Sequence, residues 1–469
     1  MPVSWTGSGP DLSIALDRHA GRPLRAQLEN ELRQAIQDGR LEPGERMPSS
    51  RVLADQLGIS RRLVTDCYEQ LVSEGYLVSH PGAATIVSPG VQRVSPAPRP
   101  RADMSEYEFN FRPFVPDPAS FPRADWLWAA GQASRGLPSA RLGYEDEARG
   151  LVDLREVIAA YVRRVRGAVA QPDNVVVTAG FTQAIGLVLR ALNEQGIRTV
   201  AVEDPGSTYR QDVAGRIGMT CVPIPVDDDG LDVTALASSG VSVVVVTPAH
   251  QSPTGAVMSA ERRHALIDWA KRTDGLVIED DYDAEFRYDK SPIGTLQGLA
   301  PERVVLLGSV SKSLAPGLRI GWVVCPSHLV DPVADGKYFD DGGSPVLDHL
   351  ILAELLRSGR FDRHLRRMRQ VYGARRSVLL EALEDVGPAV SVTGAAAGLH
   401  LVLNLPAGVS EPNVIEEAAR WSVGLRGMSR FWLESGSDRP AQLVLGFGLL
   451  SERGIREGIR RVSDVLTSY

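Results

Sequence analysis

From Pro23 to Leu41 apolar residues recur every fourth position, at Leu24, Leu28, Leu32 and Ile36, with Arg25, Glu29, Arg33 and Asp38 off that stripe. The spacing predicts an amphipathic helix, closed by Pro43-Gly44. Ser49-Ser50 stand as caps before a second helix, Arg51–Leu57, which Gly58-Ile59 ends in a tight turn. Ser60 caps a third, Arg61–Glu74. Its inward stripe is Val64, Tyr68 and Leu71, so Arg61, Arg62 and Thr65 face out from the first turns. Leu77–Val87 reads as two short strands about Pro81-Gly82. Two helices joined by a glycine turn, the second presenting its N-terminal residues, have the geometry of a helix-turn-helix reader for the major groove of double-stranded DNA, followed by a wing.

The pattern changes after residue 88. Ser88–Ala102 is rich in proline and lacks apolar periodicity, which predicts a semi-extended tether over 89–106 between a unit at 12–88 and one at 107–469. From about Tyr107 short apolar strands alternate with helical stretches: Val175–Val177, Thr199–Val202, Val241–Val246, Gly275–Ile278 and Val304–Gly308. That alternation predicts an α/β fold, a mainly parallel sheet covered on both faces, with ligands at the strand C-termini. Thr178-Ala-Gly180-Phe181-Thr182 follows one strand and opens a helix, an anion cradle. Glu279-Asp280-Asp281-Tyr282 follows another.

With 43% apolar and 23% charged residues, the 469-residue chain reads as soluble and globular, with two or three domains. No apolar run approaches the roughly 18 residues of a membrane span, and Met1–Pro10 lacks the basic start and apolar core of a secretory signal. Cys67, Cys221 and Cys325 lie far apart without metal-ligand spacing, which points to a reducing cytoplasm and to neither a disulfide nor a metal framework. The net charge of −7 does not by itself indicate a nucleic-acid partner. The pattern is local: between Arg46 and Thr65 four arginines face only Asp55, a positive edge on the helices predicted to read DNA.

Of 51 basic side chains only four are lysines, Lys271, Lys290, Lys312 and Lys337. One lies in Ser309-Val-Ser311-Lys312-Ser-Leu-Ala-Pro-Gly-Leu-Arg319, a loop after a predicted strand. A guanidinium cannot form a Schiff base, whereas a lysine amine can lose its proton and attack an aldehyde. The aldehyde implied is pyridoxal 5′-phosphate.

Residues 43–61 resemble the winged helix of the GntR family: Pro43-Gly-Glu-Arg-Met-Pro-Ser-Ser50-Arg51, then Leu57-Gly-Ile-Ser60-Arg61. The resemblance implies Ser50, Arg51, Ser60, Arg61, Arg62 and Thr65 as DNA contacts, the arginines serving phosphates or guanine edges. The second unit resembles fold type I aminotransferases, which implies a smaller C-terminal α+β subdomain beside the large sheet. By that resemblance Lys312 forms the internal aldimine, Asp280 pairs with the pyridinium nitrogen and Tyr282 bonds the ring oxygen. Gly180, Phe181, Thr182, Ser309, Ser311 and Arg319 hold the phosphate, and Tyr144 in Leu142-Gly-Tyr144 reaches it from a partner subunit, implying a homodimer.

Together the halves resemble the MocR/GabR subfamily of GntR regulators. His250-Gln-Ser-Pro-Thr-Gly255 and Gly427-Met-Ser-Arg430-Phe431 carry that likeness, which implies Arg430 as the anchor for the carboxylate of a γ-aminobutyrate-like effector. Tyr209 and Arg210, in Val202–Arg210, are expected to contact the effector at the pocket mouth, with the ring-stacking residue either Tyr209 or one elsewhere, and Ser252 stands where the enzymes place an asparagine. The layout implies a cytoplasmic transcription regulator that senses an amino compound by external aldimine formation. Two alternatives stay open: a sensor of pyridoxal phosphate controlling vitamin B6 synthesis, and an active aminotransferase with an accessory DNA-binding unit.

Overall fold

The computed structural model describes residues 14, 16–17, 21–37, 40–79, 84–89, 107–135, 137–143, 148–288, 293–433 and 439–467. The chain divides into two compact units, residues 1–102 and 103–469.

In the first unit, α1 (Leu24–Gln37), α2 (Ser50–Leu57) and α3 (Arg61–Ser73) follow the apolar periodicity. Leu28, Leu32, Ile36, Leu53, Val64 and Leu71 form one core, each at most 2% exposed. Burying one such aliphatic side chain contributes roughly 1.5–3 kcal/mol. α1 stops before the predicted Leu41, which joins the core from the turn that follows, its N–H donating to Ala35 O. β1 (Leu77–Val78) and β2 (Ile86–Val87) pair antiparallel, while the Pro81-Gly82 turn lies outside the described residues. Gly44 N donates to Val87 O and Met47 N to Thr85 O, so the chain entering α2 extends the hairpin on its other side.

The second unit carries β3 (Phe109–Asn110), β4 (Val175–Thr178), β5 (Thr199–Asp204), β6 (Thr220–Asp227), β7 (Gly230–Leu231), β8 (Val243–Val246), β9 (Leu276–Asp281), β10 (Val304–Ser309) and β11 (Gly321–Val324). β12 (Ser391–Thr393), β13 (His400–Asn404), β14 (Val423–Gly424) and β15 (Gln442–Gly446) follow. The large sheet runs β4-β11-β10-β9-β8-β5-β6-β7. Its β6-β5-β8-β9-β10 run is parallel, and β11 lies antiparallel between β10 and β4.

Successive residues of a strand point to opposite faces. Val243 and Val245 therefore pack with the helices Phe181–Glu194 and Ser327–Asp341, while Val244 and Val246 pack with the helix Ala260–Thr273. Layers on both faces make this the α/β doubly covered sheet that the alternation predicts. The sheet β12-β13-β15 forms the smaller C-terminal part, packed with the helices Arg360–Glu384 and Glu452–Thr467. Among the described residues no helix is long and apolar enough to cross a membrane.

Candidate functional site

In the first unit the outward edge of α3 is built as its sequence requires. Ser60 Oγ accepts from Leu63 N at 3.3 Å and Ser49 Oγ from Val52 N, so one hydroxyl caps each helix. Gly58 takes φ 62° at the end of α2, the left-handed conformation that lets the chain turn into α3. Arg51, Ser60, Arg61 and Arg62 are exposed, and Ser50 and Thr65 are half-buried. Arg61 Nε donates to Ser50 Oγ at 3.2 Å, which fixes that arginine across the two helices. The Thr65 hydroxyl donates back to Arg61 O at 3.0 Å.

In the second unit the site forms at the C-terminal ends of β4, β9 and β10. β9 ends in three acids that the strand period sends to different partners. Glu279 accepts from Leu296 N and Gln297 N, each at 3.0 Å, and Asp281 takes Arg166 in a two-pronged pair at 2.7 and 2.9 Å. Asp280 faces the other way, where Arg210 Nη2 donates to it at 2.6 Å. Burial pushes the Asp280 carboxyl up from its ordinary value, and Arg210 opposes that. Burial likewise holds Glu279 up at about 7.

Lys312 sits on the turn after β10, half-buried, with its Nζ donating to the carbonyl of Phe114. Burial holds its amine below the ordinary lysine range; Asp283 and Asp280 act against this and Arg112 adds to it. Phe114 takes φ 64°, rare for a residue with a side chain, and its ring packs on His400 at 4.4 Å, Phe431 at 5.9 Å and Tyr282 at 6.2 Å. His250 Nδ1 lies 3.0 Å from Asp283 Oδ2 and 3.2 Å from the Tyr282 hydroxyl, so this buried pair fixes the tyrosine.

The β4–helix turn forms a cradle. Gly180 has φ 83°, and a Cβ there would lie 3.0 Å from Arg319 Nη2. Arg319 reaches it because β11 brings Gly321 against Thr178 of β4 and Ser309 of β10, and Arg319 Nη2 donates to Ala179 O at 2.7 Å. No side chain caps the helix Phe181–Glu194, which leaves first-turn N–H groups to an anion. Tyr209 OH donates to Thr182 Oγ1 at 2.9 Å, and Ser311 N to Ser309 Oγ at 3.4 Å.

The structure gathers Lys312, Asp280, Tyr282, Gly180, Thr182, Ser309, Ser311 and Arg319 at one edge of the large sheet, and Phe181 begins the cradle helix. Arg210 is a correction. It is 3% exposed behind Asp280 and 3.9 Å from Glu203, not at the mouth, because two buried acids hold its guanidinium inward. Tyr209, 43% exposed, remains outside, and Tyr144 lies outside the described residues. Arg430 is exposed on the turn Met428–Phe431. That turn is fixed by Gly206 N to Phe431 O at 2.8 Å, Leu433 N to Asp204 Oδ1 at 2.8 Å and Ser429 N to Glu411 Oε2 at 3.2 Å. Phe114, Glu411 and His400 were missed, since an isolated aromatic, acid or histidine carries no spacing signal.

The profile for bacterial regulatory proteins of the gntR family matches residues 24–87, and that for aminotransferase class I and II matches residues 128–425. The HTH-type pyridoxine biosynthesis transcriptional regulator PdxR of Corynebacterium glutamicum is 32% identical over 463 residues, covering 97% of this chain and 99% of its own. The chain belongs to the MocR-type GntR regulators. The probable rhizopine catabolism regulatory protein MocR of Rhizobium meliloti is 30% identical, covering 95% of this chain and 94% of its own. Among solved structures, kynurenine aminotransferase of Pyrococcus horikoshii, in complex with PMP, is similar at TM-score 0.70 and 27% identity, covering 77% of this chain and 91% of its own.

A MocR-type regulator binds DNA through its GntR unit and carries pyridoxal phosphate in its aminotransferase-like unit. The residues present fit that group. The glycine cradle leaves room where a Cβ would crowd Arg319, the uncapped helix start suits a dianion, and an amine and a carboxylate stand at the neighbouring strand ends.

Proposed function

We propose that this regulator senses a primary amino compound of the γ-aminobutyrate type at Lys312 and reports it to operator DNA as a cytoplasmic homodimer. When bound, pyridoxal phosphate supplies an aldehyde that condenses with primary amines. In this reading Lys312 holds the cofactor, Asp280 faces its ring nitrogen, Tyr282 its ring oxygen, and Gly180–Thr182, Ser309, Ser311 and Arg319 its phosphate. The observation that carries it is the half-buried Lys312 amine on the turn after β10, a strand flanked by β9, which carries Asp280, and by β11, which joins it to the Gly180–Arg319 cradle. Desolvation raises the neutral fraction of that amine, so it can be displaced and can return.

Arg430 holds the effector carboxylate, and Phe431 beside it touches Phe114, whose carbonyl receives Lys312. Release of Lys312 thus bears on the turn that carries Arg430, and an effector shifts the balance of two forms by its differential affinity for them. Exposed Phe339 (86%) and Leu127 (70%) support a second copy as their cover.

The test is absorbance of the bound cofactor. Added amine shifts the band of the wild type without accumulating the carbonyl product of transamination, a semialdehyde for γ-aminobutyrate, and Lys312→Ala has no lysine-linked band while its GntR unit still binds DNA. Rapid turnover of the amine to its carbonyl product overthrows the sensor reading in favour of an enzyme. A second reading, sensing of pyridoxal phosphate itself, is favoured by the 32% identity to PdxR over 463 residues. It predicts that loading the cofactor alone changes operator affinity and that amines change nothing further.

A further inference from the structure

Three arginines have no acidic partner among the described residues, Arg112, Arg426 and Arg430, and the first of them acts on Lys312. The backbone brings them together. β14 pairs parallel with β3, Val423 opposite Phe109 and Gly424 opposite Asn110, and Phe111 N donates to Gly424 O at 3.0 Å. Both chains then meet the same strand, where Gly446 N of β15 donates to Phe111 O at 2.9 Å and Val444 N to Arg426 O at 2.8 Å. Residues 111 and 426 thus stand two positions apart along one edge, a spacing of about 7 Å. Arg430 follows on the turn Met428–Phe431.

Phe114, whose carbonyl receives Lys312 Nζ, lies two residues past Arg112, at most about 7 Å along the chain. The acids of the region are already engaged, Glu411 by Ser429 and Asp204 by Leu433 and Arg439. Burial and then the neighbouring Arg430 and Arg112 hold the Arg426 guanidinium below the ordinary arginine range, as three uncompensated cations at close quarters require.

One carboxylate takes a two-pronged bond from one guanidinium and leaves two cations unneutralised. A group with two negative charges answers the cluster better. We propose that the effector is a primary amine whose far end carries two negative charges, held jointly by Arg112, Arg426 and Arg430, with a short spacer to the amine that meets Lys312. This rests on the amine-sensing reading and replaces the single carboxylate at Arg430 by a doubly charged group shared with Arg112 and Arg426.

The experiment titrates the cofactor-loaded, full-length protein with 4-aminobutyrate, 3-aminopropylphosphonate and butylamine at low salt and about pH 8, where a phosphate-like group is dianionic. The cofactor band reports binding. Expected is a preference of about tenfold or more for the phosphonate over the carboxylate of equal length, the size of one added charge-assisted bond. Arg426→Met and Arg112→Met each bring that ratio towards one, Arg426→Lys retains part of it, and thermal melts report the folding of each variant. Equal affinity of the wild type for the two anions overturns the proposal, as does a ratio unchanged in both folded methionine variants. If no amine, butylamine included, shifts the band, amine sensing fails and the proposal falls with it; a band that shifts without anion preference overturns the proposal alone.

Discussion

Arg210→Met isolates the buried pair behind the site. Arg210 is 3% exposed and Asp280 6%, and their 2.6 Å contact is Asp280's charged support, with Glu203 3.9 Å away on the other side. Removing one partner of a buried pair costs roughly 3–5 kcal/mol, because the partner left behind stays desolvated and charged. Glu203 keeps bonds from Thr247 N and Oγ1 at 3.1 and 2.6 Å, so the loss falls on Asp280. Burial already pushes Asp280 up and Arg210 restrains it, so without the guanidinium its carboxyl rises further in the folded protein. A carboxyl raised in the folded state binds more protons there than in the unfolded chain. Its penalty is absent below the unfolded value of about 4 and grows as pH climbs towards the folded value. The variant is therefore expected to lose most stability near neutrality and to recover part of it as pH falls towards about 5. Urea unfolding of the cofactor-free protein, followed by tryptophan fluorescence at several pH values, measures this. A loss under about 1 kcal/mol that does not change with pH would refute the reasoning.

Three further outcomes follow from local geometry. Gly180→Ala places a Cβ 3.0 Å from Arg319 Nη2 at φ 83°, so equilibrium dialysis is expected to show cofactor affinity at least tenfold weaker, and unfolding a loss of about 1–2 kcal/mol. Ser60→Ala removes the acceptor at Leu63 N and is expected to cost about 1 kcal/mol in thermal unfolding of the GntR unit. Arg61→Ala is expected to weaken operator binding and lower the slope of log affinity against log salt by roughly one, read by fluorescence anisotropy, while the cofactor band stays in place.

Much of this architecture is legible along the chain, because period and punctuation act locally. The stripe Leu24–Ile36, the caps Ser49 and Ser60, and the valine-rich strands each announce their own element. The segments of Gly180, Asp280 and Lys312 stand out because each follows an apolar strand, where this kind of sheet gathers its ligands, whereas Arg319 is marked only by the family resemblance. β6 escaped notice since Pro223 and Pro225 interrupt its pattern, yet both are accommodated beside β5. Arg210 was misplaced for a different reason. Position in a loop reveals its neighbours in sequence but not the acid on another strand that draws a charge inward.

β11 bears on how the protein acquires its site. The cradle at Gly180 and the amine at Lys312 belong to segments far apart in the chain, and both are aligned by this one strand, whose residues pair with β4 on one edge and β10 on the other. Contacts of such long sequence separation form late, after the loop-closure entropy has been overcome. A nascent chain that ends at Lys312 therefore has the helix start and the amine but neither Arg319 nor the strand that aligns them. The cradle and the lysine loop are thus held in line through β11, and a chain that ends before Gly321 lacks the strand that joins them.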